Sequence, residues 1–348
     1  MAKFNKGDLS EGILAAAITA RFLSKTKMIS DKDVISIINK MKKAVGGFKG
    51  QTSTTSFQSA NREPSIKDTV ICKVNLAEVN MKAFQTASTY NSKDIKDIVK
   101  ASVGYANGPH IREWADMMYE NNQKNKIEVL SEGLLDQTGT KVDLKIKIDG
   151  VQAGVGVSLK YGDVKQFGQV GGTTWGAMKT LFSPLGIRLE KTHETKYVKL
   201  VSEKKIADAL TLIYKEAHKQ LSSKSRPVMM KNLAKFMEYH ATSNEKDVVL
   251  VQLNKREAKV YDFTQLSSKL TGYDFDIKLT YGVTDKLSSG GYKGSKKIPK
   301  LSFVAGGEDL VYIRVKMEGN RVNSKGKRLP LTVRSYVEKG KLTTQLIT

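Results

Sequence analysis

The chain has 348 residues, and 58 Lys and Arg against 35 Asp and Glu leave a formal net charge of +23. That length holds one elaborated domain or two, and an apolar content of 40% supplies a sizeable core. One cysteine, Cys72, excludes disulfides within the chain and zinc sites built on clustered thiolates. The four histidines, His110, His193, His218 and His240, have no ligand spacing and read as ordinary surface or core residues. No G-x-x-x-x-G-K-[ST] loop is present, so ATP hydrolysis is unsupported. No apolar run approaches the ~20 residues of a membrane span, and the start MAKFNKGDLSEG has no apolar signal core. We therefore expect a soluble, cytoplasmic protein without a membrane partner. The excess positive charge attracts polyanions through counterion release. DNA is the default partner, with RNA left open.

Taken in chain order, apolar periodicity predicts a helix over residues 9–22 and another over 31–45, with Ser30 or Asp31 as cap and Gly46 and Gly47 as stop. Residues 46–65, rich in Gly, Ser and Thr, read as a flexible loop that could order on a partner. A strand over 68–76 follows, then a helix over 92–107 capped by Ser92, a helix over 111–122, and a strand over 127–133 that carries Glu132. Residues 202–221 and 227–241 are amphipathic helices, the second with Pro227 at its start. From 247 onward the pattern turns to strands. In VYIRVKM, alternation places Tyr312, Arg314 and Lys316 on one face and Val311, Ile313, Val315 and Met317 on the other, giving a sheet with a basic face. The Gly/Ser-rich loop over 286–300 adds Lys293, Lys296, Lys297 and Lys300, which could grip phosphates without reading sequence or simply form a solvated turn.

The richest segment is KVDLKIKIDGVQAGVGVSLK, residues 141–160. Val142, Leu144, Ile146 and Ile148 alternate in its first half, as do Val155, Val157 and Leu159 in its second. Matching the apolar faces in an antiparallel hairpin, with 149–154 as the turn, pairs 148 with 155 and sets Asp143 opposite Lys160. A two-residue slip would set Asp143 opposite Ser158 or Gly162, whereas a one-residue slip would expose the whole apolar set. The neighbouring carboxylate and ammonium could be an ordinary cross-strand ion pair. They could also be a site at which a hard cation and a positioned amine act on a phosphate.

Asp143, the hairpin and Ser158-Leu159-Lys160 resemble the PD-(D/E)XK nuclease superfamily, whose signature is an Asp, a spacer, and an acidic residue two before a Lys. Ser158 departs from the usual Asp or Glu. The resemblance, which covers roughly half the chain, implies an α/β (α+β) fold with a restriction-endonuclease-like core sheet flanked by helices. It implies Mg²⁺- or Mn²⁺-dependent cleavage of DNA phosphodiesters; the chain also has a phage-like look, and a viral protein would be expected in the host cytoplasm or virion. Asp143 would hold the metal with the Leu159 carbonyl, Lys160 would position the attacking water, and Ser158 would hydrogen-bond that water or a phosphate.

A second acid is needed, and the family often takes it from a helix before the strands. Glu11 is the first candidate, although Asp8 as N-cap with Glu11 three residues later also makes a capping box. Glu132 is the runner-up. After Lys160, Asp163 could cap a helix that brings Lys165, Gln166 and Gln169 to the site, or the segment could be a surface loop. The expected organisation is a nuclease-like core over 1–185, a helical insertion over 186–246 and a mainly β region over 247–348. A non-catalytic, basic DNA-binding or virion-associated protein on the same fold is the alternative. Double-strand cutting would suggest a homodimer, though no heptad pattern marks an interface.

Overall fold

The computed structural model describes residues 4–24, 28–44, 52–58, 69–85, 92–120, 126–131, 142–149, 155–242, 248–261, 263, 266–289, 291–318 and 332–347. In chain order the elements are α1 (Lys6–Leu23), α2 (Asp31–Ala44), β1 (Thr52–Gln58), β2 (Thr69–Asn75), α3 (Glu78–Gln85), α4 (Lys93–Asn107), α5 (Pro109–Glu120), β3 (Lys126–Ser131), β4 (Leu144–Ile148), β5 (Val155–Tyr161) and β6 (Gln166–Gly171). There follow α6 (Trp175–Phe182), α7 (Lys191–Ser202), α8 (Ile206–Ser222), α9 (Arg226–Thr242), β7 (Val248–Asn254), β8 (Glu257–Tyr261) and α10 (Leu266–Lys269). The chain closes with β9 (Phe275–Val283), α11 (Lys286–Ser289), β10 (Lys297–Ala305), β11 (Glu308–Glu318), β12 (Thr332–Lys339) and α12 (Lys341–Ile347). The fold is mixed α/β, with two sheets in two compact units. Among the described residues no helix is long and apolar enough to cross a membrane.

The first unit comprises residues 1–164 and 242–261. Its seven-stranded sheet runs β1-β2-β3-β4-β5-β7-β8, with β2–β3 and β5–β7 parallel and the other pairs antiparallel. Helix α1 is the centre of this unit: Leu9, Ile13, Leu14, Ile18 and Phe22 are fully enclosed, and it packs against β2, β3, β5 and α4. A Cβ on Gly12 would sit 3.0 Å from Leu76 and 3.1 Å from Val74, so the missing side chain lets the helix lie close to the sheet. Helix α4 starts at Ser92, whose hydroxyl accepts from the Ile95 N–H at 3.3 Å, and it presents Ile95, Ile98, Val99 and Ala101 to the core.

The second unit comprises residues 165–241 and 262–348. Its five-stranded antiparallel sheet runs β6-β12-β11-β10-β9. Val311 and Ile313 on β11, and Leu301 and Phe303 on β10, are buried on one face, and α8 packs on β9 and β10 with the stripe Ile206, Leu210, Ile213, Ala217 and Leu221. Arg314 and Lys316 lie on the opposite face, as the alternation requires.

Several expectations are corrected. Thr52–Gln58, read as loop, is strand β1, because all seven residues pair with β2; the rest of the 46–65 segment lies outside the described residues. Helix α3 was not expected. The helix expected after Asp163 is strand β6, in which Phe167 and Val170 are buried and Gln169 and Gly171 exposed, the period of a strand edge. Strands β7 and β8, expected in the C-terminal region, complete the first sheet through the parallel pairing of β5 with β7. The chain thus divides by interleaving and not at residues 185 and 246.

Candidate functional site

The hairpin of β4 and β5 carries the site. Its register pairs Leu144 with Val157 and Ile146 with Val155, which continues to place Asp143 opposite Ser158. This is the two-residue slip from the register that set Asp143 opposite Lys160. Both registers bury Leu144, Ile146, Val157 and Leu159, so hydrophobic patterning cannot choose between them and turn geometry must. The Asp143 N–H donates to the Val157 carbonyl at 2.9 Å. Its Oδ2 accepts the Leu159 N–H at 2.5 Å and stands 3.8 Å from Lys160 Nζ. Lys160 Nζ in turn donates to the Leu159 carbonyl at 2.9 Å. Carboxylate and amine are therefore both tied to the peptide groups of Leu159, and with exposures of 29% and 28% both remain open to a ligand.

The second acid comes from α1. The N-cap of that helix is Asn5, whose Oδ1 accepts the Gly7 N–H at 3.0 Å, so the capping box of Asp8 and Glu11 does not form. Asp8 instead accepts from Asn80 Nδ2 at 3.0 Å, while Asn80 Oδ1 accepts the Asn5 N–H at 2.8 Å. Asn80 is fully buried, and these two bonds fix the start of α1 to α3. Glu11 is left with no capping role, and its Oε2 is enclosed without a hydrogen-bond partner. Burial, together with the charges of Asp143 and Asp8, lifts the Glu11 carboxyl to about 9, against the opposing pull of Lys160. Burial also raises the Asp143 carboxyl, opposed by Lys160 and the Leu159 N–H.

Like charges crowded in a partly desolvated place raise one another's proton affinity, and a cation bound between them reverses that. Among the described residues no group of three or more His, Cys, Asp or Glu is placed to hold a metal ion. The hard oxygens present are the Asp143 and Glu11 carboxylates, which act on one another's charge, and the Leu159 carbonyl, which accepts from Lys160. Mg²⁺ ordinarily keeps several waters and takes only one or two protein carboxylates, and the orphaned Glu11 Oε2 supplies the donor such an ion needs. The residues fit the group.

The other expected positions fare differently. Ser158 is 1% exposed and its Oγ is enclosed without a hydrogen-bond partner, so it does not stand at the surface where a phosphate would meet it. Glu132 lies outside the described residues. Lys165, Gln166 and Gln169 belong to the second unit, where Gln166 Nε2 donates to Gln169 Oε1 at 3.1 Å. The basic segment over 286–300 is partly regular: Lys297 and Lys300 stand on β10, the Lys293 N–H donates to the Lys204 carbonyl at 2.9 Å, and Lys296 pairs with Asp285 at 3.3 Å. Arg314 is held by Glu338 through two bonds of 2.6 Å. Asp8 and Asn80 were missed. The i, i+3 spacing of Asp8 and Glu11 was the available signal for the first; Asn80 had none.

Comparison of the chain with family models, with curated proteins and with solved structures returned no match.

Proposed function

We propose that the chain is a divalent-metal-dependent nuclease of the PD-(D/E)XK kind that hydrolyses DNA phosphodiesters at the hairpin site of its first unit. The observation that carries this reading is the enclosed, unpartnered Oε2 of Glu11, on a helix that brings this carboxyl within reach of the charges of Asp143 and Lys160. Asp143 and Glu11 would hold Mg²⁺ or Mn²⁺, with the Leu159 carbonyl as a further oxygen. Bound there, the ion supplies Lewis acidity toward a phosphate oxygen and a water.

The chain's own groups do the rest. The Leu159 N–H fixes one oxygen of Asp143, which holds the carboxylate in a single orientation. Lys160 Nζ, 3.8 Å from that carboxylate, orients the attacking water and steadies the charge that develops on the phosphate. The water oxygen forms the new bond to phosphorus, the bond to one sugar oxygen breaks, and in the net reaction that oxygen leaves with the proton the water gives up. The net charge of +23 draws the polyanion to the protein.

A second reading, a DNA-binding protein that cleaves nothing, is favoured by Ser158 in place of a carboxylate and by the lack of a three-acid cluster among the described residues. Plasmid incubation with Mg²⁺ separates the two. The nuclease reading expects nicking that EDTA stops and that Asp143→Ala and Lys160→Ala each reduce by about 10²-fold or more. Unchanged supercoiled plasmid, with retardation in a gel retained, would leave the binding protein.

A further inference from the structure

The polar face of the second unit's sheet has a composition that the hairpin site does not use. Across it, hydrogen-bonded neighbours form two rows: Lys300, Arg314, Tyr336 and Gln169 in one, and Ser302, Tyr312 and Glu338 in the other. Cations lie over the rings, Lys300 Nζ at 4.1 Å from the Tyr312 centroid, Lys316 Nζ at 5.5 Å and the Arg314 guanidinium carbon at 5.7 Å from that of Tyr336. At one end of these rows Lys165, Lys300, Tyr312, Arg314 and Lys341, with the carboxylates of Glu308 and Asp309 among them, line a cavity of about 540 Å³.

We propose that this face binds single-stranded nucleic acid, with one unpaired nucleotide seated in the cavity and the neighbouring phosphates on its lysines. Three observations lead there. Glu338, buried at 5% exposure, takes two of the five N–H donors of Arg314 and so fixes the guanidinium plane while leaving three donors. The other pairs are single bonds, Lys341 with Glu308 at 3.3 Å in solvent and Lys300 with Asp309 at 3.2 Å half-buried, so a phosphate can take the Lys341 amine at little cost. Tyr312 is half-buried in the cavity, where a base can reach its ring only if it is not already stacked inside a duplex. Rings interleaved with cations in a groove are the general means of holding single strands without reading their sequence. The inference adds a second nucleic-acid site and stands whether or not the hairpin cleaves.

The test uses the full chain in EDTA and fluorescence anisotropy of a labelled oligodeoxythymidylate of about 16 nucleotides. The double variant Lys165→Glu/Lys341→Glu should bind about tenfold or more weakly, with a shallower dependence on salt, by about 0.7 in log–log slope for each phosphate that is no longer neutralised. Tyr312→Leu should bind roughly 5- to 100-fold more weakly for want of the stack. Lys96→Glu/Lys100→Glu on α4 makes the same change in net charge elsewhere and should bind nearly as the wild type does. Circular dichroism melts confirm that each variant is folded. The same weakening with oligouridylate would extend the site to RNA, and weakening confined to one oligomer would name the sugar it holds. Equal weakening by the α4 control, or duplex competing as well as single strand, would overturn the proposal.

Discussion

Replacing Glu11 by Gln keeps the shape of the side chain and removes its titration. The wild-type carboxyl is lifted from 4.5 to about 9 in the fold, so the folded state holds a proton that the unfolded chain releases. A raised carboxyl contributes stability that is fully present below the unfolded value and is lost as pH rises toward the folded one. Between about pH 5.5 and pH 7.5 the unfolded Glu11 is ionised and the folded one is not, so stability falls by about 1.4 kcal/mol per pH unit, or nearly 3 kcal/mol over the window. Urea denaturation in EDTA at the two pH values, on wild type and Glu11→Gln, reads this directly. Glu11 and Asp143 act on one another's charge, so the difference between the two slopes reports the loss of Glu11 together with its effect on Asp143. Equal slopes would mean that Glu11 is ionised at neutral pH and would refute the argument that it is a destabilised acid held in readiness for a cation.

Three further outcomes follow from the packing. Asn80→Ala removes the bonds to Asn5 N and Asp8 Oδ2 from a fully buried position, and should cost about 1–3 kcal/mol in urea denaturation. It should also weaken cleavage, because the start of α1 positions Glu11. Gly168→Ala places a Cβ 2.6 Å from His240 Cβ and 2.8 Å from its carbonyl oxygen; a backbone atom cannot step aside, so a loss of about 1–3 kcal/mol or more is expected by the same measurement. Arg314→Met leaves the Glu338 carboxylate buried without its bidentate partner, and should lower stability in urea denaturation by about 3 kcal/mol.

The sequence was most legible where local signals and burial agree. Helix α1, the Ser92 cap of α4, the stripe of α8 and the alternation of β11 all follow from spacing that one face of one element must satisfy. The hairpin was legible in its sidedness, because a one-residue slip would turn Leu144 and Val157 outward, but not in its register, because a two-residue slip costs no burial. Glu11 stood out because a charge among Leu14 and Ile18 demands a reason. Long-range pairing was not legible. Nothing near Val248 says that it will lie parallel to Gly156 on β5, so the interleaving of the two units left no sign. The capping potential of Asp163 favoured a helix, which the glycines around Gln166 weakened, and the pairing of Tyr336 with Gln169 and Ser335 with Val170 makes the segment an edge strand. That pairing partner lies far along the chain and leaves no local mark.

The most direct test of the account is calorimetric titration of the protein with Mn²⁺. The account predicts one binding event, accompanied by proton release near neutral pH as Glu11 ionises, and its loss in both Asp143→Asn and Glu11→Gln. Mn²⁺ binding that survives both substitutions, or none in the wild type with or without a DNA strand present, would contradict it.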